Sequence, residues 1–242
     1  MRKLKKILAI LLALTLVLAL AACGSEPKGN ITPDNGAATP APADEPENTP
    51  EPEPEPEPED EVELGSMNGG TYENSFVGIG CKLDYTWTYY SDEEILQMNG
   101  LVADSIDDEK LAEQLRGSDS FYDMVAANEE GSSVNVVLEN LGLLYGHTLD
   151  AGGYIDIALK SLDSQLASMG VNVSACEKVS FDFCGEKTDG IYIFGTMSVN
   201  GMEIEMYQRM ACVKAGSYMT CITACTYFED LTTDILDMFY AL

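Results

Sequence analysis

The sequence predicts an α+β domain in which an antiparallel β-sheet is flanked by helices. Its last third contains four apolar runs separated by short turn signals, which is typical of a meander of strands. A segment before the meander carries apolar residues at spacings of three and four, as an amphipathic helix does. Because tight turns join neighbouring strands antiparallel, the meander should form one sheet, with helices covering one or both faces.

The first 22 residues have the three-part layout of a secretory signal peptide. Four basic residues lie within the first six positions, an apolar run covers residues 7–20, and two alanines precede Cys23. The run is short for a transmembrane helix, which needs about 20 apolar residues. Residues 20–23, Leu-Ala-Ala-Cys, resemble the lipobox of bacterial lipoproteins, whose cysteine receives a diacylglyceryl group and becomes the new N-terminus.

This resemblance implies that Cys23 is lipidated and that the protein is anchored to the cell membrane, facing outside the cytoplasm. Stable attachment requires two or more fatty chains, because one chain gives only marginal binding. The alternative is an ordinary signal peptide in which the cysteine is incidental.

Residues 23–64 have the composition of a disordered acidic tether. They hold 13 acidic residues and one lysine, and glutamate alternates with proline from Glu51 to Glu59. Such a segment cannot bury enough apolar surface to offset its chain entropy, and proline excludes helix and central strand. We expect an extended spacer that lifts the following domain off the membrane. The alternative is an acidic arm that binds cations or basic partners.

The charge of the chain excludes some partners. The sequence has a formal net charge of −28, and residues 65–242 carry 28 acidic and 8 basic residues. Nucleic acid binding by phosphate neutralisation is therefore excluded, as is adhesion to anionic lipid headgroups through the domain's own charge. Residues 65–242 are long enough for a single domain with a core of its own.

The first half of this domain is predicted to mix short strands and helices. Residues 72–83 form one or two strands interrupted by Gly78 and Gly80. Ser91 and Glu94 fit a capping box, so a helix should begin there. A second helix is predicted over residues 107–116. Strands follow at residues 121–127 and 134–139, joined by a turn at residues 128–131.

The second half is predicted to be a long helix, a four-stranded meander and a final helix. The long helix ends near Gly170, a residue suited to a C-terminal cap. Asn200-Gly201 is a strong signal for a type I′ hairpin turn, and Ala215-Gly216 is predicted to form the next turn. The stripe of the long helix is Ile155, Leu159, Leu162, Leu166 and Met169, the strands are 173–183, 191–199, 202–213 and 218–227, and the final stripe is Leu231, Ile235, Met238 and Phe239.

Several of these segments resemble uncharacterised lipoproteins of clostridial bacteria, which are similar to the PsbP-like fold. The resemblance is carried by residues 85–87, 91–94 and 137–141, by Tyr154, and by the order of the closing meander and helix. It implies an α/β/α sandwich over most of residues 71–242. It also implies a non-catalytic binding or assembly protein, although fold likeness alone does not assign an activity.

His147 is the only histidine, so a Cys–His or Ser–His–Asp arrangement would have to use it. It lies in a predicted turn before the long helix. The alternative without a functional role is an exposed loop residue. No catalytic or cofactor-binding residue is predicted. No metal site is predicted either, because Cys221 and Cys225 lack a second ligand pair, and the acids at positions 104, 107, 108 and 109 lack the pattern of a calcium loop.

Six cysteines follow Cys23, and a predicted hairpin register bears on three of them. A turn at Ala215-Gly216 places Cys212 diagonal to Cys221, about 7–8 Å away, which is marginal for a disulfide. Cys221 and Cys225 are roughly 13 Å apart along one strand. Cys212, Cys221 and Cys225 are therefore predicted to be free buried thiols. The pairing of the others, Cys81, Cys176 and Cys184, stays open.

An aromatic group surrounds Trp87, with Tyr85, Tyr89 and Tyr90 beside it. It could line a carbohydrate or peptide groove, or it could be a half-buried strand with Trp87 in the core. We expect a membrane-anchored, non-enzymatic module that binds an unknown protein or small molecule, without nucleic acid or cofactor. The alternatives are a surface hydrolase or thiol enzyme that uses His147, and, less expected, a solute-binding protein.

Overall fold

The computed structural model describes residues 62–100 and 118–242, except for the side chains of Leu143 and Leu144. The predicted signal peptide, Cys23, the tether as far as residue 61 and the predicted helix over residues 107–116 lie outside these ranges. Within them, none of the helices has the length and apolar character that a membrane span requires.

Two antiparallel sheets form the framework of the described residues. The strands are β1 (Ser66–Asn68), β2 (Thr71–Asn74), β3 (Ile79–Cys81), β4 (Trp87–Tyr89), β5 (Ser120–Asn128), β6 (Ser133–Asn140), β7 (Val171–Phe183), β8 (Glu186–Val199), β9 (Met202–Ala215), β10 (Tyr218–Tyr227) and β11 (Phe239–Ala241). The large sheet has the order β4-β5-β6-β10-β9-β8-β7, and the small sheet has the order β1-β2-β3-β11.

The helices in the described ranges are α1 (Asp92–Met98), α2 (Gly142–Gly146), α3 (Ala151–Ser168) and α4 (Thr232–Leu236). The predicted α+β class, with an antiparallel meander flanked by helices, is confirmed. The meander is β7 to β10, and its β8–β9 turn has Asn200 at φ 54° and Gly201 at φ 81°, as the type I′ prediction requires.

The helix α3 covers one face of the large sheet, and its predicted stripe forms the contact. The Asp150 side chain caps the helix by accepting a 2.8 Å hydrogen bond from the Gly153 amide. Gly170 follows the helix with φ 87°. Ile155, Leu162 and Leu166 are fully buried against the apolar residues of β8, β9 and β10. Each such side chain contributes about 1.5–3 kcal/mol of burial free energy.

The other face of the large sheet packs against the small sheet and α4. Tyr72, Ile79 and Cys81 from the small sheet share a core with Leu236 and with the central strands β5, β6 and β10. Val62 is also buried in this core, so the packed part of the chain extends upstream of Gly65.

The predicted final helix is shorter than its apolar stripe. The helix ends at Leu236, and Phe239 begins a strand that pairs with β3 and packs on Phe183 at 5.7 Å between ring centroids. Apolar spacing alone could not distinguish the two conformations, because the pairing partner of Phe239 lies far away in the sequence.

The hairpin between β9 and β10 has a different register from the predicted one. Its turn is Gly216-Ser217, with Gly216 at φ 52°, which is the glycine position of a type II′ turn. Ala215 consequently pairs with Tyr218, and Cys212 lies directly opposite Cys221. The predicted diagonal arrangement of these two cysteines is wrong, because moving the turn by one residue moves the whole pairing.

Candidate functional site

A cavity of about 470 Å³ lies between α1, the small sheet and the β4–β5 edge of the large sheet. This volume is within the range of small-molecule sites, about 300–1,000 Å³. Its polar and aromatic lining consists of Ser66, Tyr72, Tyr89, Tyr90, Asp92, Asn99, Tyr122 and Asp123. Its apolar lining includes Leu64, Met67, Ile95, Leu96, Met124 and Val125.

A β-bulge brings Asp123 to this cavity. Tyr122 pairs with Val137 and Met124 pairs with Val136, so Asp123 is the extra residue on β5. A bulge changes the direction of the side chains around it, and bulges are frequent beside functional sites. Without this bulge, side chains would alternate strictly between the two faces of the sheet. Met124 would then point to the other face, away from the core that it occupies.

The Asp123 carboxylate is surrounded by hydrogen-bond donors from distant parts of the chain. It accepts bonds from the Gly65 amide at 2.9 and 3.0 Å, from Tyr72 Oη at 2.5 Å and from Asn74 Nδ2 at 2.8 Å. Desolvation raises the pKa of Asp123 above its ordinary value, and the bonds from these three donors oppose the rise. Burial and the neighbouring Asp123 raise the pKa of Tyr72 in turn.

The opposite side of the cavity depends on α1 and Asn99. Ser91 and Glu94 form the predicted capping box, which fixes the start of α1 and places Asp92 at the cavity. Asn99 then bonds the exposed edge of β5. Tyr122 N donates to Asn99 Oδ1 at 2.7 Å, and Asn99 Nδ2 donates to Tyr122 O at 2.9 Å. The Asn99 side chain takes the place of a neighbouring strand at this point. It satisfies the backbone N–H and C=O of Tyr122 while the cavity stays open.

The structure divides the aromatic group predicted around Trp87. Tyr89 and Tyr90 line the cavity, whereas half-buried Trp87 packs against the core and Tyr85 is 98% exposed. Tyr89 Oη donates to Cys81 O at 3.1 Å and accepts from Leu83 N at 3.3 Å, and burial raises its pKa to about 12. The half-buried strand with Trp87 packed on the core is therefore found, and a binding role for Tyr89 and Tyr90 stays a prediction.

The other predicted candidates lie elsewhere. His147 is exposed in the turn after α2 and is not among the residues that line the cavity. Within residues 62–100 and 118–242, no group of three or more His, Cys, Asp or Glu side chains could hold a metal ion. The acids at positions 104–109 and the lipidation residue Cys23 lie outside these ranges.

A second polar cluster is buried beneath α3. Tyr154 Oη donates to Glu139 Oε2 at 2.6 Å and accepts a 3.4 Å hydrogen bond from the Cys221 thiol. Cys221 lies opposite Cys212 on the neighbouring strand, and the Cys221 thiol together with burial raises the pKa of Cys212. Burial raises the pKa of Glu139 to about 6, against the opposing effect of the Tyr154 bond. The six cysteines of the described residues are all free thiols in the structure.

Sequence reasoning missed Tyr72, Asn99, Asp123 and the Glu139–Tyr154–Cys221 cluster. Their partners are separated by long stretches of chain, 51 residues for Tyr72 and Asp123. The one local signal was a lone aspartate within an otherwise apolar strand, Phe121 to Ala127. A charged residue at such a position needs partners when the strand is buried.

No protein-family model matches the sequence, and no curated protein matches it. Among solved structures, the chain is similar to LpqN of Mycobacterium tuberculosis, which is involved in cell envelope biogenesis, with a TM-score of 0.34 and 11% identity over 66% of this chain and 76% of LpqN. It is also similar to a protein of Bacteroides thetaiotaomicron, with a TM-score of 0.38 and 10% identity over 73% of this chain and 49% of the other. The resemblance to clostridial lipoproteins and to the PsbP-like fold stays a prediction.

Proposed function

We propose that this protein is an extracytoplasmic binding protein, held at the membrane by lipid on Cys23, whose ligand occupies the cavity between α1 and β5. The observation that carries the binding role is the Asp123 carboxylate, held by four hydrogen bonds in a cavity with apolar and tyrosine walls. A large apolar cavity with a few convergent polar groups is the usual form of a ligand site.

The chemistry of the lining favours a small organic cation with an apolar body. Two carboxylates, Asp92 and Asp123, face the cavity, and among residues 62–100 and 118–242 no lysine, arginine or histidine lines it. Four tyrosines also line it, and tyrosine rings attract cations by about 0.5–2 kcal/mol per contact. The apolar side chains, such as Leu96 and Met124, would cover the carbon skeleton of the ligand.

Charge also disfavours an anionic ligand. An anion would bring a negative charge beside a desolvated carboxylate, on a domain that already carries 28 acidic and only 8 basic residues. A cation would instead compensate the charge of Asp123, whose burial is unfavourable without a positive partner.

The test compares three probes of similar size: choline, its neutral isostere 3,3-dimethylbutanol, and the anion 3,3-dimethylbutyrate. Trp87 is the only tryptophan and lies two residues from Tyr89, so its fluorescence reports on the cavity. We expect choline to bind at least ten times more tightly than the isostere, and the anion not to bind. Equal affinity for choline and the isostere would contradict a cationic ligand, and no binding by choline or by a panel of primary and quaternary amines would contradict the binding site.

Two substitutions in the lining test whether choline binds in this cavity. Asp123→Asn keeps the shape but removes the charge, and Tyr90→Leu removes a ring of the wall. Each should weaken choline binding about tenfold, whereas Glu130→Gln, an exposed change in the β5–β6 turn, should have no effect. Because Asp123 accepts four hydrogen bonds, the urea midpoint of its variant is measured beside the affinity, and Tyr90→Leu keeps the test valid if Asp123→Asn unfolds.

A further inference from the structure

We infer that Cys212 and Cys221 are joined by a disulfide when the chain folds in the presence of a thiol oxidant. The two residues are directly opposite each other on the adjacent strands β9 and β10. Both side chains point to the α3 face of the sheet, where they belong to the same core. This inference is independent of the ligand in the cavity.

The type of strand pair favours the crosslink. Ala215 and Tyr218 close a two-residue turn, so they form a hydrogen-bonded pair, and the pairs alternate along the ladder from there. Cys212 and Cys221 are three pairs further along and therefore form a non-hydrogen-bonded pair, with Cα atoms about 4.5 Å apart. Disulfides span Cα distances of about 4.4–6.8 Å, so neither strand has to move.

The same geometry excludes Cys225 and Cys81 as competing partners for these two thiols. Cys225 lies on the same strand as Cys221, roughly 13 Å away along the chain, and the residue opposite it is Gln208. Cys81 belongs to the core on the other face of the large sheet. A crosslink within the β9–β10 hairpin is thus specific to Cys212 and Cys221.

The reaction is a two-electron oxidation. Each thiol loses its proton and one electron, the S–S bond forms, and the disulfide of a low-molecular-weight or protein thiol oxidant takes up both electrons and both protons as two thiols. Thiolate attack is the first step of this exchange, and both thiols are 2% exposed in the folded protein. The bond therefore forms while the hairpin assembles, before α3 covers it.

The test refolds the full-length chain, purified in mild detergent, from a reduced and urea-unfolded state in a mixture of oxidised and reduced glutathione. Free thiols are then blocked with N-ethylmaleimide, and the protein is digested with trypsin without reduction. Cleavage after Arg209 and Lys214 releases Cys212 in the peptide 210–214, whereas Cys221 and Cys225 share the peptide 215–242. We expect these two peptides to be linked, and still to be linked in Cys225→Ala.

A stability measurement provides the second readout. The oxidised protein should have a Tm higher by roughly 5 °C than the same protein with reductant. This difference should be absent in the Cys212→Ala/Cys221→Ala variant and retained in Cys225→Ala, whatever each substitution does to the absolute Tm. Blocking of both Cys212 and Cys221 by N-ethylmaleimide after refolding, or a crosslink to any other cysteine, would overturn the inference.

Discussion

Tyr154 Oη donates a 2.6 Å hydrogen bond to the Glu139 carboxylate inside the core, beneath α3. Both side chains are buried, at 3% and 4% exposure, and 15 residues separate them in the chain. The bond satisfies two polar groups that the core would otherwise leave unpaired. It does not compensate fully for the burial of the charge, because the pKa of Glu139 is still raised to about 6.

The first prediction concerns the pH dependence of this pair. A carboxyl group whose pKa is higher in the folded than in the unfolded state binds its proton more tightly in the folded state. The resulting stability is present below pH 4.5, the ordinary pKa, and is lost as the pH rises to about 6. The loss amounts to about 2 kcal/mol.

Glu139→Gln should remove this dependence, since glutamine keeps the shape and an acceptor for Tyr154. Urea unfolding between pH 4.5 and 7 measures the free energy of unfolding of both proteins. The variant should gain up to about 2 kcal/mol relative to wild type over this range. Glu130→Gln, in an exposed turn, serves as the control. Parallel curves for wild type and Glu139→Gln would show that the carboxyl group is not perturbed in the core.

The second prediction concerns the capping box that fixes α1 at the cavity. Glu94 N donates to Ser91 Oγ at 3.4 Å, and Ser91 N donates to Glu94 Oε2 at 2.9 Å. Ser91→Ala should lower the free energy of unfolding by about 1 kcal/mol and increase hydrogen exchange in α1. Ser91→Thr keeps the hydroxyl and should behave like wild type. Equal exchange rates in α1 for the alanine and threonine variants would contradict the role of the cap.

The third prediction concerns Gly190 in the middle of β8. A Cβ atom at this position would collide with the Met210 carbonyl oxygen. It would also lie only 2.6 Å from the ring of Phe181. The ring cannot move freely because Arg209 lies 5.4 Å from its centroid. Gly190→Ala should therefore destabilise the protein by at least about 2 kcal/mol in urea unfolding. Ser198→Ala, an exposed change on the same strand, should stay within about 0.5 kcal/mol.

The fourth prediction concerns the proposed anchor. Cys23→Ala should abolish incorporation of a labelled fatty acid and move the protein from the membrane fraction to the soluble fraction, because the acidic domain has no attraction of its own for anionic lipids. Cys184→Ala removes a half-buried thiol of the domain and should retain the label and the membrane fraction. Labelling of Cys23→Ala equal to that of the parent would refute lipidation at this residue.

Local sequence signals located most of the secondary structure of the described residues. The apolar stripe of α3, the capping box at Ser91 and the turn at Asn200-Gly201 each depend on residues within about four positions, and each is found where it was predicted. Signals of this range act through hydrogen bonds and dihedral preferences of the segment itself. The lipobox at Cys23 and the acidic tether depend on equally local signals, and both stay predictions.

The sequence by itself thus determined the α+β class and the positions of the meander strands, and it predicts the membrane localisation implied by Cys23. Only the tertiary structure decided the register that places Cys212 opposite Cys221, the pairing of Phe239 with Cys81, and the bulge at Asp123. Each of these depends on contacts between segments or on a choice between two turns of similar local chemistry. Asp123 is a cavity residue because Gly65, 58 positions upstream, and Tyr72 donate to it, and pairwise contacts at such separations leave no periodic trace in the sequence.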